Sequence, residues 1–324
     1  MESKEQFFAS PDIELAINKS PPIVSPDVSL IDAIVLMGQI RDASCRIDRS
    51  HDSESLLSAK SRSSCVLVVE GDELRGILTE RDVVRLTAEQ LVFNSVSVGD
   101  VMTKSVVTLA KSKLKDIFAA LFMFRRYRIR HLPIVDEANK LLGIMTSTSI
   151  RQAVRPENLL KMRRVADVMS KNIIHAPTTD TVLEIAQLMA SNRVSCIVIT
   201  EADKEDNILI PVGIITERDI LQFQSLQARL DSLTAEEAMS SPLCLMSPED
   251  SLLAANQEMQ RRHVRRLVVS WNWGKGLGII TQTSMLRIFD PMEMYGVIET
   301  LQSTVQQLEH EKAELLKLVN SKKN

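Results

Sequence analysis

The stretch that decides the fold is GIITERDI, residues 213–220, because GILTERDV stands at residues 76–83 of the same chain. Two related phrases, GIMTSTSI at 143–150 and GIITQTSM at 278–285, extend the series to four. Their glycines, Gly76, Gly143, Gly213 and Gly278, fall at intervals of 67, 70 and 65 residues. A fixed period of this size marks a repeat architecture. The copies alternate: the first and third end in Thr-Glu-Arg-Asp, the second in Thr-Ser-Thr-Ser and the fourth in Thr-Gln-Thr-Ser. An A-B-A-B order points to an ancestral pair that was itself duplicated.

A second marker keeps the same period. GDVMTKSVVTL begins at Gly99, ADVMSKNIIHA at Ala166 and EAMSSPLCLMS at Glu237. Each leads into an extended segment and then an amphipathic helix. In the third unit Val182, Ile185, Ala186 and Met189 recur at i, i+3, i+4 and i+7, one apolar stripe. SCIVIT is a short β-branched run that reads as a buried strand, the polar EADKEDN as a turn, and ILIPVGIIT as the returning strand. Each unit thus reads extended segment, helix, strand, strand, helix, and units of about sixty residues must pair to bury enough surface. The first unit carries a polar, serine-rich insertion, RIDRSHDSESLLSAKSRS, read as a helix extension and a loop.

Composition narrows the function classes. The 324 residues carry a formal net charge of −3, which argues against non-specific nucleic-acid binding. The N-terminus MESKEQFFAS lacks a signal-peptide core, and the longest fully apolar run, Ile117–Phe124, is far too short to span a membrane, so a cytoplasmic location is expected. Cys45, Cys65, Cys196 and Cys244 are scattered, and the five histidines show no metal spacing. There is no GxSxG, HExxH or Walker glycine loop, so a non-enzyme is expected.

With four h-G-h-h-T-x-x-(D/S) endings, most opened by D-V-M-(T/S), the chain resembles tandem CBS-domain proteins, in which two CBS domains form a Bateman module. The resemblance covers roughly residues 15–290 and implies an α/β (α+β) fold of four β-α-β-β-α repeats in two modules. Its boundaries are expected as an N-terminal tail 1–14, CBS 1 at 15–95 with an insertion at about 41–62, CBS 2 at 96–152, a linker and CBS 3 at 153–228, and CBS 4 at 229–290. It further implies a regulatory protein that binds adenine nucleotides or related adenosyl ligands between paired domains, with no cofactor required and magnesium as an optional companion.

In the resembled family the aspartate of Thr-x-x-Asp holds the ribose hydroxyls. Asp82 and Asp219 match it, beside Thr79 and Thr216. The same pattern is close to a helix capping box, so capping is the competing reading. The B units keep the threonine (Thr146, Thr281) with Ser149 and Ser284 in place of the acid, so their helices start without it. Cations concentrate in the B units, in RRYRIRHLPIV and RRHVRRLVV. Arg130 and His131, and Arg265 and Arg266, match the place from which the family contacts phosphates, and arginine suits phosphate through its two-pronged fork. Arg81 and Arg218 are further phosphate candidates, while Arg125, Arg126, Arg261 and Arg262 read as solvated helix ends. Adenine is expected in an apolar slot at Ile23 and Val24 or at Ile173 and Ile174. The expectation is one competent cleft per module, Thr79/Asp82 with Arg130/His131 and Thr216/Asp219 with Arg265/Arg266, and weak or empty sites around Ser149 and Ser284.

Residues 291–324 repeat apolar positions every seven residues, with Ile298, Val305, Lys312 and Val319 on one register and Met294, Leu301, Leu308 and Leu315 on the other. That is the seam of a parallel dimeric coiled coil, and a helix folded back on the modules is the alternative. DPMEMYG leading into such a helix resembles the signalling helix after tandem CBS domains in cyanobacterial multi-sensor proteins. The partners expected are therefore an adenine nucleotide, a second copy through modules and coiled coil, and a signalling protein. A ligand-free dimerisation scaffold, or a regulatory fragment of a larger protein, is the competing function.

Overall fold

The computed structural model describes residues 13–42, 64–154, 160–161, 163–202, 208–272 and 276–289. The coiled-coil segment 291–324, residues 1–12 of the tail and all but the first residues of the insertion lie outside the described residues.

Four small sheets follow the four units. β1 (Ile17–Asn18) precedes the first unit, whose sheet is β2 (Ile23–Val24), β3 (Cys65–Glu70) and β4 (Glu73–Thr79). The second unit supplies β5 (Leu109–Ala110), β6 (His131–Val135) and β7 (Leu141–Thr146), the third β8 (His175–Pro177), β9 (Cys196–Ala202) and β10 (Leu209–Thr216), and the fourth β11 (Leu245–Met246), β12 (Arg266–Trp271) and β13 (Gly276–Thr281). In each, the short first strand runs parallel to the middle strand and the last two form an antiparallel hairpin. A parallel neighbour needs a crossover, and the helices Leu30–Asp42, Ile117–Tyr127, Val182–Asn192 and Leu252–Arg261 provide it. The stripe Val182, Ile185, Ala186 and Met189 is fully buried, as its spacing predicts.

The middle strands are apolar on both faces because both faces are covered. On β3, Val66 and Val68 pack with Leu30, Ile34 and Leu86 of their own unit. Cys65 and Leu67 point the other way and meet Ile144 of the second unit. Each such fully buried aliphatic side chain contributes about 1.5–3 kcal/mol.

The repeated glycine and the repeated methionine have one cause. The segment entering each unit crosses onto the hairpin of its module partner: Thr103 bridges Ile77, Ser240 bridges Ile214, Ser170 bridges Ile279, and β1 pairs with β7. The crossing chain lies directly over the glycine. A Cβ on Gly143 would stand 2.6 Å from the Asn18 carbonyl oxygen, and one on Gly278 2.9 Å from that of Ser170. At Gly76 and Gly213 the space is filled by Met102 and Met239, the methionines of the D-V-M and E-A-M entries.

The modules dock so that odd units meet and even units meet. Helix Glu80–Ala88 of the first unit packs on Val182–Asn192 and Glu217–Ser225 of the third. The second and fourth units share one core that includes Leu132, Ile134 and Ile150 with Leu267, Val269 and Ile280. Polar contacts cross the same junction: Gln224 donates to Thr87 at 3.0 Å and Arg151 to Asn256 at 2.7 Å.

Candidate functional site at the module junction

All four Thr-x-x-(D/S) phrases end a strand and start a helix. Asp82 accepts from the Thr79 amide (2.9 Å) and hydroxyl (2.6 Å), and Asp219 from the Thr216 amide and hydroxyl, both at 2.8 Å. In each case the oxygen used is Oδ2. The serines make the same cap: the Thr146 amide donates to Ser149 Oγ and the Thr281 amide to Ser284 Oγ, each at 2.9 Å. A hydroxyl is therefore sufficient for the cap, and the carboxylate of the odd units is surplus to it.

The middle residues of the phrase face across the junction. Arg81 donates to Glu217 at 3.3 Å and Arg218 donates to Glu80 at 3.3 Å, a reciprocal pair between the two TERD copies. The even units repeat the geometry without charge, Thr148 donating to Gln282 at 3.2 Å. The residue before each even-unit middle strand joins the same glutamates, Arg130 reaching Glu217 at 2.6 Å and Arg265 reaching Glu80 at 3.5 Å. Glu217 is 1% exposed and Glu80 8%, so each carboxylate is taken out of water and satisfied by two guanidiniums. Burial works against the charge of Arg130, but Glu217 beside it and Glu80 farther off outweigh that and raise its pKa.

Beside this cluster lies a cavity of about 420 Å³ to which all four units contribute. One wall is apolar, with Val168, Ile173, Ile174, Val194, Val198 and Ile279. Another is hydroxyl-rich, formed by the helix starts Thr146–Thr148 and Thr281–Ser284, whose Thr146 and Thr281 amides are spent on their own caps. Among the described residues six arginines line it, Arg81, Arg130, Arg193, Arg265, Arg266 and Arg287, and no carboxylate does. Arg193 is placed there by its left-handed backbone (φ 53°) at the end of helix Val182–Asn192. The Arg266 Nε atom is buried with no hydrogen-bond partner. Burial, and then the Arg130 charge, lower the His131 pKa to about 3, so this ring is neutral and shares a 2.7 Å hydrogen bond with Ser64. Cys196 also faces the cavity, its thiol pushed up in pKa chiefly by burial.

The structure brings together Arg81, Arg130, His131, Arg265, Arg266, Ile173 and Ile174. Thr79, Asp82, Thr216, Asp219, Arg218, Ile23 and Val24 do not line this cavity. Ile23 is half-exposed and Val24 belongs to the first unit's core. The expected cleft puts Asp82 on the ribose and Arg130 on the phosphates within one module; in the structure the carboxylate that Arg130 pairs with is Glu217 of the other module. The cavity borders Ser284, where a weak or empty site was expected, because docking of even unit on even unit leaves the two hydroxylated helix starts facing the arginines. His131, expected as a phosphate cation, is an uncharged hydrogen-bonding group. Glu80, Glu217, Arg193 and Arg287 were not anticipated. The glutamates carried a readable signal, since they follow the same A-B alternation as the aspartates, with Ser147 and Gln282 in their place in the even units.

Among the described residues no group of His, Cys, Asp and Glu comes together to hold a metal ion, and no helix is long and apolar enough to cross a membrane.

Comparison with known proteins agrees with this architecture. The CBS domain family matches residues 12–89, 98–156, 165–225 and 235–290, and the chain belongs to that family, with four repeats forming two Bateman modules. Among solved structures, protein MJ1225 from Methanocaldococcus jannaschii, described as a candidate archaeal homolog of γ-AMPK, superposes with a TM-score of 0.69 at 20% identity, covering 86% of this chain and 100% of that one. An uncharacterized conserved protein from Pyrococcus horikoshii gives 0.54 at 14% identity over 86% and 99% of the two chains. In sequence, MJ1225 is 27% identical over 176 residues, 51% of this chain and 59% of that protein. A homoserine O-acetyltransferase from Methanococcus vannielii is 29% identical over 123 residues, 38% of this chain and 24% of that enzyme. The matched segments thus span from about a quarter to about three fifths of these curated relatives.

Proposed function

We propose that this chain is a regulatory protein that binds an adenine nucleotide, or a related adenosyl ligand, in the cavity at the module junction. The observation that carries the reading is the pairing, within one 420 Å³ space, of an apolar wall with six arginines and two hydroxylated helix starts. Small-molecule sites typically measure roughly 300–1,000 Å³ and combine these elements. The base would lie on Ile173 and Ile174, with the phosphates toward Arg130, Arg265 and Arg266, assisted by Arg81 and by His131 as a neutral donor. Arg218, outside the cavity, would position Glu80. Asp82 and Asp219, with Thr79 and Thr216, would serve a second kind of seat outside the cavity, where the Oδ1 side of the carboxylate would meet a ribose diol and Ile23 and Val24 would offer the apolar slot of the first unit. Family membership and the resemblance to a γ-AMPK-like archaeal protein support a regulatory role rather than catalysis.

The output would run through residues 291–324 as a parallel coiled coil joining two copies, in the cytoplasm, toward a signalling partner. Magnesium would enter only with a polyphosphate ligand. A second reading, a ligand-free scaffold, is favoured by the reciprocal Glu80–Arg218 and Glu217–Arg81 pairs, which hold the modules together unaided.

Thermal unfolding with ATP, ADP, AMP and GTP separates the two. A ligand that binds only the folded state raises Tm, by about 2.7 kcal/mol of added stability at one hundred times its Kd. A rise with adenine nucleotides supports the sensor, and none with any of the four supports the scaffold.

A further inference from the structure

Six arginines around one cavity would repel one another strongly, and the structure supplies two anions that hold three of them. Glu217 holds Arg130 and Arg81, and Glu80 holds Arg265 and Arg218. Arg193, Arg266 and Arg287 have no ion-pair partner among the described residues, and the Nε of Arg266 is buried and unpartnered. The unmet demand in the cavity is therefore for more than one negative charge. The two glutamates are not lining residues. They stand behind Arg81, Arg130 and Arg265, each of which also borders the cavity and can turn its fork toward an anion there.

We propose that the cavity holds a subsite for a chain of two or more phosphates, and that Glu80 and Glu217 are internal stand-ins that such an anion displaces. The inference rests on the junction cavity being a ligand site, and it adds what the ligand must carry. A single phosphate satisfies Arg266 and one neighbour and leaves both glutamate pairs in place. A di- or triphosphate reaches Arg130 and Arg265 as well, and binding it costs the contacts these make with Glu217 and Glu80. Because the same glutamates clasp one module to the other, occupancy by a polyphosphate loosens the clasp while a monophosphate does not.

The test uses the full chain and the inorganic anions alone. Orthophosphate, pyrophosphate and tripolyphosphate are titrated at one fixed ionic strength into the wild type, Arg266→Gln, Arg193→Gln, Glu80→Gln and Glu217→Gln. In the wild type, tripolyphosphate is expected to bind at least tenfold more tightly than orthophosphate. Both arginine variants should weaken it by about tenfold, and each glutamine variant should tighten it severalfold with orthophosphate unchanged. Equal or undetectable binding of the three anions by the wild type overturns the proposal without any variant. So does weaker tripolyphosphate binding in the glutamine variants, which marks the glutamates as structural only. AMP and ATP binding equally would defeat this inference and leave the nucleotide site standing. Tripolyphosphate binding without any adenine nucleotide binding would do the reverse.

Discussion

Removing Arg130 should destabilise this protein more than removing the carboxylate it holds. Glu217 is 1% exposed, and its two partners are Arg130 at 2.6 Å and Arg81 at 3.3 Å. Arg81 is nearly half-exposed, so on its own it offsets less than about 1 kcal/mol. Breaking a buried pair from one side costs about 3–5 kcal/mol, because a desolvated charge is left behind. With Arg81 still in contact and the cavity close by, Arg130→Met should cost about 2–3 kcal/mol. Glu217→Gln leaves guanidiniums that border the cavity and can be hydrated from it, and should cost about 1 kcal/mol. The double variant should cost hardly more than Glu217→Gln, so the coupling is about 2 kcal/mol. Urea unfolding of the three variants and the wild type, without nucleotide and at pH 7.5, reads these values. Arg130→Met within about 0.5 kcal/mol of wild type, or strict additivity of the two substitutions, refutes the reasoning.

Three further outcomes follow from the same geometry. Asp82→Ser and Asp219→Ser should leave stability within about 0.5 kcal/mol of wild type, because Ser149 and Ser284 already make that cap, whereas the alanine variants should each lose about 1 kcal/mol, read by thermal or urea unfolding. Gly143→Ala should cost about 1–3 kcal/mol and more than Gly76→Ala, because its Cβ meets the backbone of Asn18 while that on Gly76 first meets the flexible end of Met102. The His131 ring, with its pKa held near 3 against 6.5 when unfolded, favours the fold fully above pH 6.5 and progressively less as pH falls toward 3. The loss is up to about 1.4 kcal/mol per pH unit, and His131→Gln should flatten it between pH 7 and 5; identical pH profiles for the two proteins would contradict the neutral-ring assignment.

Local features were legible in the sequence because their causes are local. The period of Gly76, Gly143, Gly213 and Gly278, the stripe through Val182 and Met189, and the caps at Thr79 and Thr216 all report what neighbouring residues do to one another. The entry methionines were visible as a marker, but not their contact: Met102 lies over Gly76 only because the chain crosses between paired units. The site was half legible. Arg130 and Arg266 stood out as clusters before a strand, yet which carboxylate each would face depends on module docking, a matter of partners 87 residues apart and more. The TERD glutamates show their alternation in the sequence but not their partners, for the same reason. Each copy of the phrase is half of a contact, and its other half is the other copy. Arg193 was hidden because nothing in its neighbourhood announces the left-handed turn that aims it into the cavity.

The most direct test of the account is calorimetric titration of ATP into the wild type, into Arg266→Gln and into Asp82→Ser/Asp219→Ser. The account predicts tight binding at the junction in the wild type, its loss by an order of magnitude or more in Arg266→Gln, and its persistence in the aspartate double variant, which loses only the heat of the outer seats. Unchanged binding in Arg266→Gln with loss in the aspartate variant would move the ligand out of the junction cavity and contradict the account.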